Sequence, residues 1–263
     1  MKIVFYTILS DDFKDTIIDY QGFYNSFKKF HPDIDLVVFG DKEINKLFAE
    51  KTWLNFCNCK ASFAKLLYND YDLVVNIDAD FYFFDRLTEI LEGNYELGAC
   101  ANYNREANVS VKAQILNGFV IPHISEQQYI QGGIVASPNK KCWDDYEEHS
   151  KNLADHLPLM ENDVLNLLWY SGLYKTKVFD GDSNYNSPNF KQYYNCSILG
   201  REYECYLKND KIFVGNKQVK AYHVANGNSG RGTGSFGRRK KRINQLFNYE
   251  ISTWFDNYIN NKI

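Results

Sequence analysis

The run Leu73-Val74-Val75-Asn76-Ile77, followed at once by Asp78-Ala79-Asp80, constrains this chain more than any other segment. Its short apolar stretch reads as a buried strand. Two carboxylates separated by one residue then stand at the carboxyl end, which in open α/β sheets faces the crevice where ligands bind. One or two carboxylates together with substrate phosphates is the usual way to hold Mg²⁺ or Mn²⁺. The plainer reading is a solvated turn after a strand, because Asp-x-Asp is common by itself. Context separates the two.

Upstream, Lys2-Ile3-Val4-Phe5-Tyr6-Thr7-Ile8 is a second short apolar run, and it gives way to the polar Ser10-Asp11-Asp12 as a buried first strand opening into a loop would. With one Lys and an apolar run too short for a secretory h-region, this segment reads as structure rather than as a targeting signal. No apolar run is long enough to span a bilayer. Asp15 to Phe30 carries Ile17, Ile18, Phe23, Phe27 and Phe30 at near-helical spacing, Pro32 stops it, and Ile34 to Phe39 reads as the next strand. A helix through Ala61 to Tyr68 precedes the strand that bears the aspartates. This β-α-β-α-β order predicts an α/β fold with a mostly parallel central sheet, so that the loops after Ile8 and Ile77 open on the same edge.

The second half is less regular. A helix at Leu87 to Leu91 precedes Ala99 to Tyr103, Tyr129 to Ala136 reads as a strand containing the pair Gly132-Gly133, and Lys140 to Leu153 and Asn162 to Tyr170 read as helices. The stretch Asn226 to Gly237 is glycine-rich enough to be a mobile flap or hinge before a terminal helix at Asn244 to Tyr258. Between them lies the basic run Arg238-Arg239-Lys240-Lys241-Arg242, read either as a solvated helix start or as a patch for anionic headgroups or donor phosphates. At 263 residues, one elaborated α/β domain is expected, with a nucleotide-binding half at 1–100, a sugar and acceptor half at 101–226 and the flap and tail at 227–263.

A net charge of -3 gives no general pull toward nucleic acid or membrane, and no recognition helix accompanies the basic run, so a nucleic-acid partner is disfavoured. The 20 Tyr and 19 Phe suit stacking on a base or a sugar face as well as a core. Six scattered cysteines, Cys57, Cys59, Cys100, Cys142, Cys196 and Cys205, fit thiols in a reducing, cytoplasmic compartment. Cys57-Asn58-Cys59 lacks a second pair at matching spacing, so no zinc site is expected.

In order along the chain, Ala64-Lys65-Leu66-Leu67, the Asp78-Ala79-Asp80 strand end, Gln131-Gly132-Gly133, Glu161-Asn162-Asp163-Val164-Leu165-Asn166 and Ala221-Tyr222-His223 before Gly227 resemble the motifs of GT-A nucleotide-sugar glycosyltransferases. The resemblance is nearest to the retaining branch that includes glycogenin and the lipooligosaccharide galactosyltransferases. It spans most of the chain. It departs from that branch at the Lys-Pro-Trp expected after the histidine, where only Arg231 or a later basic residue is available, and at Glu161 and Asn162, which replace Asp and Gln.

What the resemblance implies is a hexosyltransferase that takes a nucleoside-diphosphate sugar, a UDP-sugar by preference, to a glycan, glycolipid or glycoprotein acceptor with retention. Asp78, Asp80 and His223 become the metal ligands. A His among oxygen ligands favours Mn²⁺, with Mg²⁺ as substitute. Tyr6, Thr7, Ile8, Lys65, Asn76, Asp78, Ala79, Asp80, Gly132, Gly133 and Arg231 become donor-binding residues, and Glu161, Asn162 and Asp163 catalytic ones. Each has a plainer reading: a core imidazole for His223, a lysine lying along an apolar helix face for Lys65, helix caps for Glu161 to Asp163. Peripheral membrane contact through Arg238 to Arg242 is a further expectation. A sugar-phosphate nucleotidyltransferase would use similar carboxylates but needs a glycine-rich loop after the first strand, where Ser10-Asp11-Asp12-Phe13 stands. A glycoside hydrolase needs carboxyls across a bond, whereas Asp78 and Asp80 are neighbours. A non-catalytic sugar-binding module stays open as a third class.

Overall fold

Ile3–Ile8 forms β1, as its apolar run predicts, and is followed by α1 (Tyr20–Phe30), β2 (Asp35–Phe39), α2 (Asp41–Leu47), α3 (Lys60–Lys65) and β3 (Leu73–Ile77). Then come β4 (Phe81–Phe83), α4 (Thr88–Leu91), β5 (Leu97–Glu106), β6 (Gln114–Leu116), β7 (Phe119–Ile121), β8 (Gln128–Ser137), α5 (Lys140–Leu153), a 3₁₀ turn (Ala154–His156) and α6 (Glu161–Trp169). The short strands β9 (Thr176–Val178), β10 (Ser183–Asn184), β11 (Cys205–Lys208), β12 (Lys211–Val214), β13 (Lys217–Val219) and β14 (Ala221–His223) complete the order. This computed structural model describes residues 1–11, 20–48, 59–106, 114–116, 119–121, 128–179, 183–184, 205–214, 217–223 and 257. The glycine-rich stretch 226–237 with Arg231, the basic run 238–242, Cys57, Cys196 and, apart from Asn257, the terminal helix expected at 244–258 lie outside the described residues.

The contacts divide the chain into two compact units interleaved in sequence, the first holding Met1–Leu9, Ile34–Asp78 and Thr88–Phe179, the second Ser10–Asp33, Ala79–Leu87 and Asp180–Ile263.

The first unit is built on a six-stranded sheet in the order β2-β1-β3-β8-β5-β9. β1 runs parallel to β2 and β3, β8 is antiparallel to β3 and β5, and β5 is parallel to β9, so β8 is the one reversed strand and the mostly parallel sheet expected from the alternating pattern is borne out. Val4, Tyr6, Ile8 and Val74 line the face that packs on Trp143, Tyr146 and Leu153 of α5 and on Val164, Leu165 and Leu168 of α6. Alternation along a strand sends every second side chain to this face. Each large side chain buried there contributes about 1.5–3 kcal/mol. α5 occupies the span the periodicity predicts, because its start is set locally: the Asn139 side chain accepts from the Lys141 N–H at 3.0 Å. α4 and α6 lie within one residue of their expected ends, and α3 closes at Lys65 rather than continuing to Tyr68. α1 ends at Phe30 as expected, while its expected start at 15–19 lies outside the described residues, and α2 was not expected.

In the second unit, α1 presents Phe23 and Phe27, four residues apart and buried, to Phe83 of β4. Ser26 Oγ accepts from the Phe83 N–H at 3.2 Å. β4 pairs antiparallel with β14, a ladder hidden in the sequence because both strands are only three residues long. A separate sheet in the order β10-β13-β12-β11 belongs to this unit, and Asp85, just after β4, binds its Lys211 and Gln218 side chains at 2.8 and 2.6 Å.

Candidate active site

At the carboxyl end of β3 the face shared with Tyr6 and Val74 also carries Asn76 and, one step past the strand, Asp78. The Asp78 N–H extends the ladder by donating to the Gly133 carbonyl at 2.9 Å. On its other edge β8 slips register. Ala99 of β5 pairs with Val135 and the next residue, Cys100, with Gln131, so Gly132, Gly133 and Ile134 are left out of the β5 ladder. Such an irregularity frees backbone groups that need other partners. Gly132 finds them on helices: its N–H donates to Asn162 Oδ1 at 2.7 Å and its carbonyl accepts from Lys60 Nζ at 2.9 Å. A Cβ on Gly132 would come within 2.9 Å of Asn162 Oδ1, so the close approach requires glycine.

Lys60, at the start of α3, was not singled out by the sequence, yet its ammonium holds this corner together. Beside the Gly132 carbonyl it meets Asp78 Oδ1 at 3.1 Å and Glu161 Oε1 at 3.5 Å, with its side chain only 11% exposed. Its carbonyl accepts from the Tyr6 hydroxyl at 2.6 Å, which ties α3 to β1. The available signal was a lysine inside the small and apolar run Cys59 to Ala64, where a solvated lysine is out of place. Lys65 faces elsewhere, toward Glu147 at 2.7 Å and Asp144 at 3.0 Å on α5, and those carboxylates hold its ammonium above the ordinary lysine range.

Glu161, Asn162 and Asp163 open α6, as expected, and each is differently committed. Met160 before them has φ 49°, a left-handed conformation that costs a branched or bulky residue about 1–3 kcal/mol, and the Leu159 N–H is held by Asp163 Oδ2 at 2.8 Å. The other Asp163 oxygen accepts from the Tyr129 hydroxyl at 2.8 Å. Asn162 Nδ2 donates to Glu161 Oε1 at 3.0 Å, so its amide is fixed at both ends. Burial pushes the Glu161 carboxyl above its usual range, against the pull of Lys60 and with a further push from Asp78. One turn on, the Asn166 amide pairs with both the N–H and the carbonyl of Ile130 at 2.8 Å, docking the helix on β8 like an added strand.

Within the second unit, the β14 register sets His223 opposite Phe81, the residue after Asp80. The imidazole is 3% exposed, stacks on Phe81 at 4.3 Å between ring centres, and brings Nε2 to 3.0 Å from Asp80 Oδ1. Asp78 is tied to Asp80 through Ala79 by the chain itself. Asp78, Asp80 and His223 thus form a group that could hold a metal ion. The donor set, two carboxylates and one imidazole nitrogen, is of the kind that takes a divalent first-row cation.

The remaining candidates are placed as follows. Tyr6, Thr7 and Ile8 are buried at the end of β1, and Tyr6 has its hydroxyl on Lys60. Thr7 and Asn76 are buried polar residues, and among the described residues Thr7 Oγ1, Asn76 Oδ1 and Glu161 Oε2 find no hydrogen-bond partner in the protein. Buried polar atoms of this kind are rare unless a ligand or water meets them. Ala79 is buried between the two aspartates. Cys59, Cys100 and Cys142 are buried, and no disulfide joins them.

No family model and no curated protein matches the sequence. Solved structures do. Over 98% of its length the chain is similar to an apo structure of WbbM, a bifunctional glycosyltransferase, with TM-score 0.54 and 14% identity, and it spans about half, 51%, of that longer chain. It is also similar to the galactosyltransferase LgtC in complex with donor and acceptor sugar analogs, with TM-score 0.49 and 16% identity over 97% of this chain and all of the other. The first likeness carries the fold: an α/β sheet of the GT-A kind with an Asp-x-Asp after a central strand, as expected from the sequence.

Proposed function

We propose that this chain is a metal-dependent glycosyltransferase that moves a hexose from a nucleoside-diphosphate sugar, a UDP-sugar by preference, to a glycan, glycolipid or glycoprotein acceptor with retention. The observation that carries the reading is the position of Asp78. Through Lys60 it is linked to Glu161 and to the Gly132 carbonyl, and through the chain it is linked to Asp80, which His223 meets at 3.0 Å.

When bound by Asp78, Asp80 and His223, Mn²⁺ or Mg²⁺ would neutralise the charge that develops on the β-phosphate as the anomeric C–O bond breaks, and the imidazole favours Mn²⁺. The protein's own groups do the rest. The Asn162 amide is pinned between the Gly132 N–H and Glu161, so it is a rigid neutral group with no proton to take and no anion to attack with. This suits same-face transfer, in which the departing phosphate accepts the acceptor's proton and no protein base is required. Glu161, whose Oε2 has no hydrogen-bond partner among the described residues, is suited to hold a sugar hydroxyl. Asp163 positions both through Leu159 and Tyr129. Thr7 and Ile8 at the end of β1, with Asn76, would line the nucleoside, and Arg231 would reach the diphosphate. Residues 101–226 would supply acceptor contacts, and Arg238 to Arg242 would rest on anionic headgroups at the cytoplasmic face of a membrane. Among the described residues no helix is long and apolar enough to cross one.

Incubation with a panel of nucleotide sugars and Mn²⁺ is expected to release nucleoside diphosphate from one of them. Asp78→Asn and Asp80→Asn should each lower that rate by about a hundredfold or more while leaving the far-ultraviolet circular dichroism unchanged, because both sit past the end of β3 rather than in its core. Full activity in both variants would remove the metal assignment. Proton NMR of the product from an α-linked donor should show an α-linkage, and a β-linkage would overturn retention.

A further inference from the structure

We infer that Lys60 sets the charge of the site through Asp78, weakening the hold on a bare divalent cation and strengthening the hold on a cation that carries a diphosphate. The inference rests on the metal reading above and deepens it. An ammonium has three N–H donors, and the oxygens about this one include the Gly132 carbonyl at 2.9 Å, Asp78 Oδ1 at 3.1 Å and Glu161 Oε1 at 3.5 Å. The side chain is held in place at both ends. Its backbone carbonyl takes the Tyr6 hydroxyl at 2.6 Å, and its tip is fixed by a Gly132 whose own N–H is fixed by Asn162.

The consequence is electrostatic. A cation that approaches Asp78 Oδ1 must share that oxygen with a buried ammonium, and buried charges are screened far less than surface ones. Asp78 and Glu161 without Lys60 would be two acids with no countercharge between them, attractive to a divalent ion and repellent to phosphate oxygens. With Lys60, one negative charge is cancelled at the site itself, so the bare ion is bound less and the phosphate-bearing ion is tolerated more. A lysine that served only to fill space would affect both ligands alike.

Calorimetry on the full chain separates these cases, using Mn²⁺ alone and then the preformed complex of Mn²⁺ with inorganic pyrophosphate. Lys60→Met is expected to bind Mn²⁺ about tenfold or more tightly and the pyrophosphate complex about tenfold or more weakly, from the Coulomb interaction of one charge a few ångströms away. Lys60→Arg keeps the charge and should return both affinities toward wild type. Lys60→Gln still donates to the Gly132 carbonyl and repeats the test should the Met variant lose its fold by circular dichroism. Two affinities that move in the same direction, or that do not move, would overturn the role of Lys60 and leave the glycosyltransferase reading standing. A wild-type protein that binds no Mn²⁺ would instead sink the metal reading and this inference with it.

Discussion

At the scale of a single residue, His31 shows how a polar group is made structural. It is buried at the end of α1, stacks on Phe27 at 4.9 Å between ring centres, and its Nε2 accepts the Leu87 N–H at 3.1 Å. The proton therefore sits on Nδ1, which donates to the Phe27 carbonyl at 3.3 Å. A second proton would face the Leu87 N–H. Burial pushes the imidazole down to about 4, with Arg86 adding to the shift and Phe27, Asp33 and Asp85 opposing it. Because the unfolded chain binds a proton that the folded chain refuses, this contribution to stability is complete above the ordinary histidine value of about 6.5 and is lost as pH falls from there toward about 4. Urea denaturation should show wild type losing about 2 kcal/mol more than His31→Gln between about pH 7.5 and about pH 5. Parallel slopes in the two proteins would remove the assignment. The proline after His31 was visible as a helix stop, whereas the hydrogen bond between the histidine and Leu87, 56 residues on, was not.

At the scale of elements, the junction of β8 with α3 and α6 positions the candidate site. The register slip frees Gly132, and two side chains from different helices satisfy it. Gly132→Ala should displace the Asn162 amide and cost about 1–3 kcal/mol by crowding, and it should also depress donor turnover. Asn166→Ala, one turn along α6, strips both partners from the buried Ile130 backbone, so it should destabilise by about 2–4 kcal/mol without a specific effect on turnover once the protein is folded. Urea midpoints and initial rates at a temperature where both variants are folded distinguish the two. A Gly132→Ala protein with wild-type rate and stability would mean that the close approach is not needed. The sequence showed the paired glycines and the helix, because both are local signals. It could not show the slip, which depends on how β5 and β3 share β8.

At the scale of the whole molecule, the chain crosses between its two compact units at Asp78 and Ala79, inside the Asp-x-Asp motif. A cation that binds only the folded protein stabilises it by mass action, by about 2.7 kcal/mol at a hundred times its dissociation constant. For a chain of this size that is a rise in melting temperature of about 5–10 °C. Wild type should show it with Mn²⁺, and Asp80→Asn should not. An equal rise in both would place the cation elsewhere.

What the sequence by itself determined is what short stretches decide. The burial of β1 and β3, the acids at the end of β3, the helix from Lys140 to Leu153 with its Asn139 cap and the mostly parallel order all follow from apolar period, capping chemistry and alternation within a few residues. Tertiary structure decided which lysine meets Asp78, since Lys60 and Lys65 sit on one short helix and only its packing turns the first toward the Gly132 carbonyl, 72 residues away. It also decided the antiparallel reversal of β8 and the placing of His223 opposite Phe81, which joins strands three residues long. Such pairings carry almost no local signal. Their free energy comes from contacts between distant segments that exist only once the chain has closed around them.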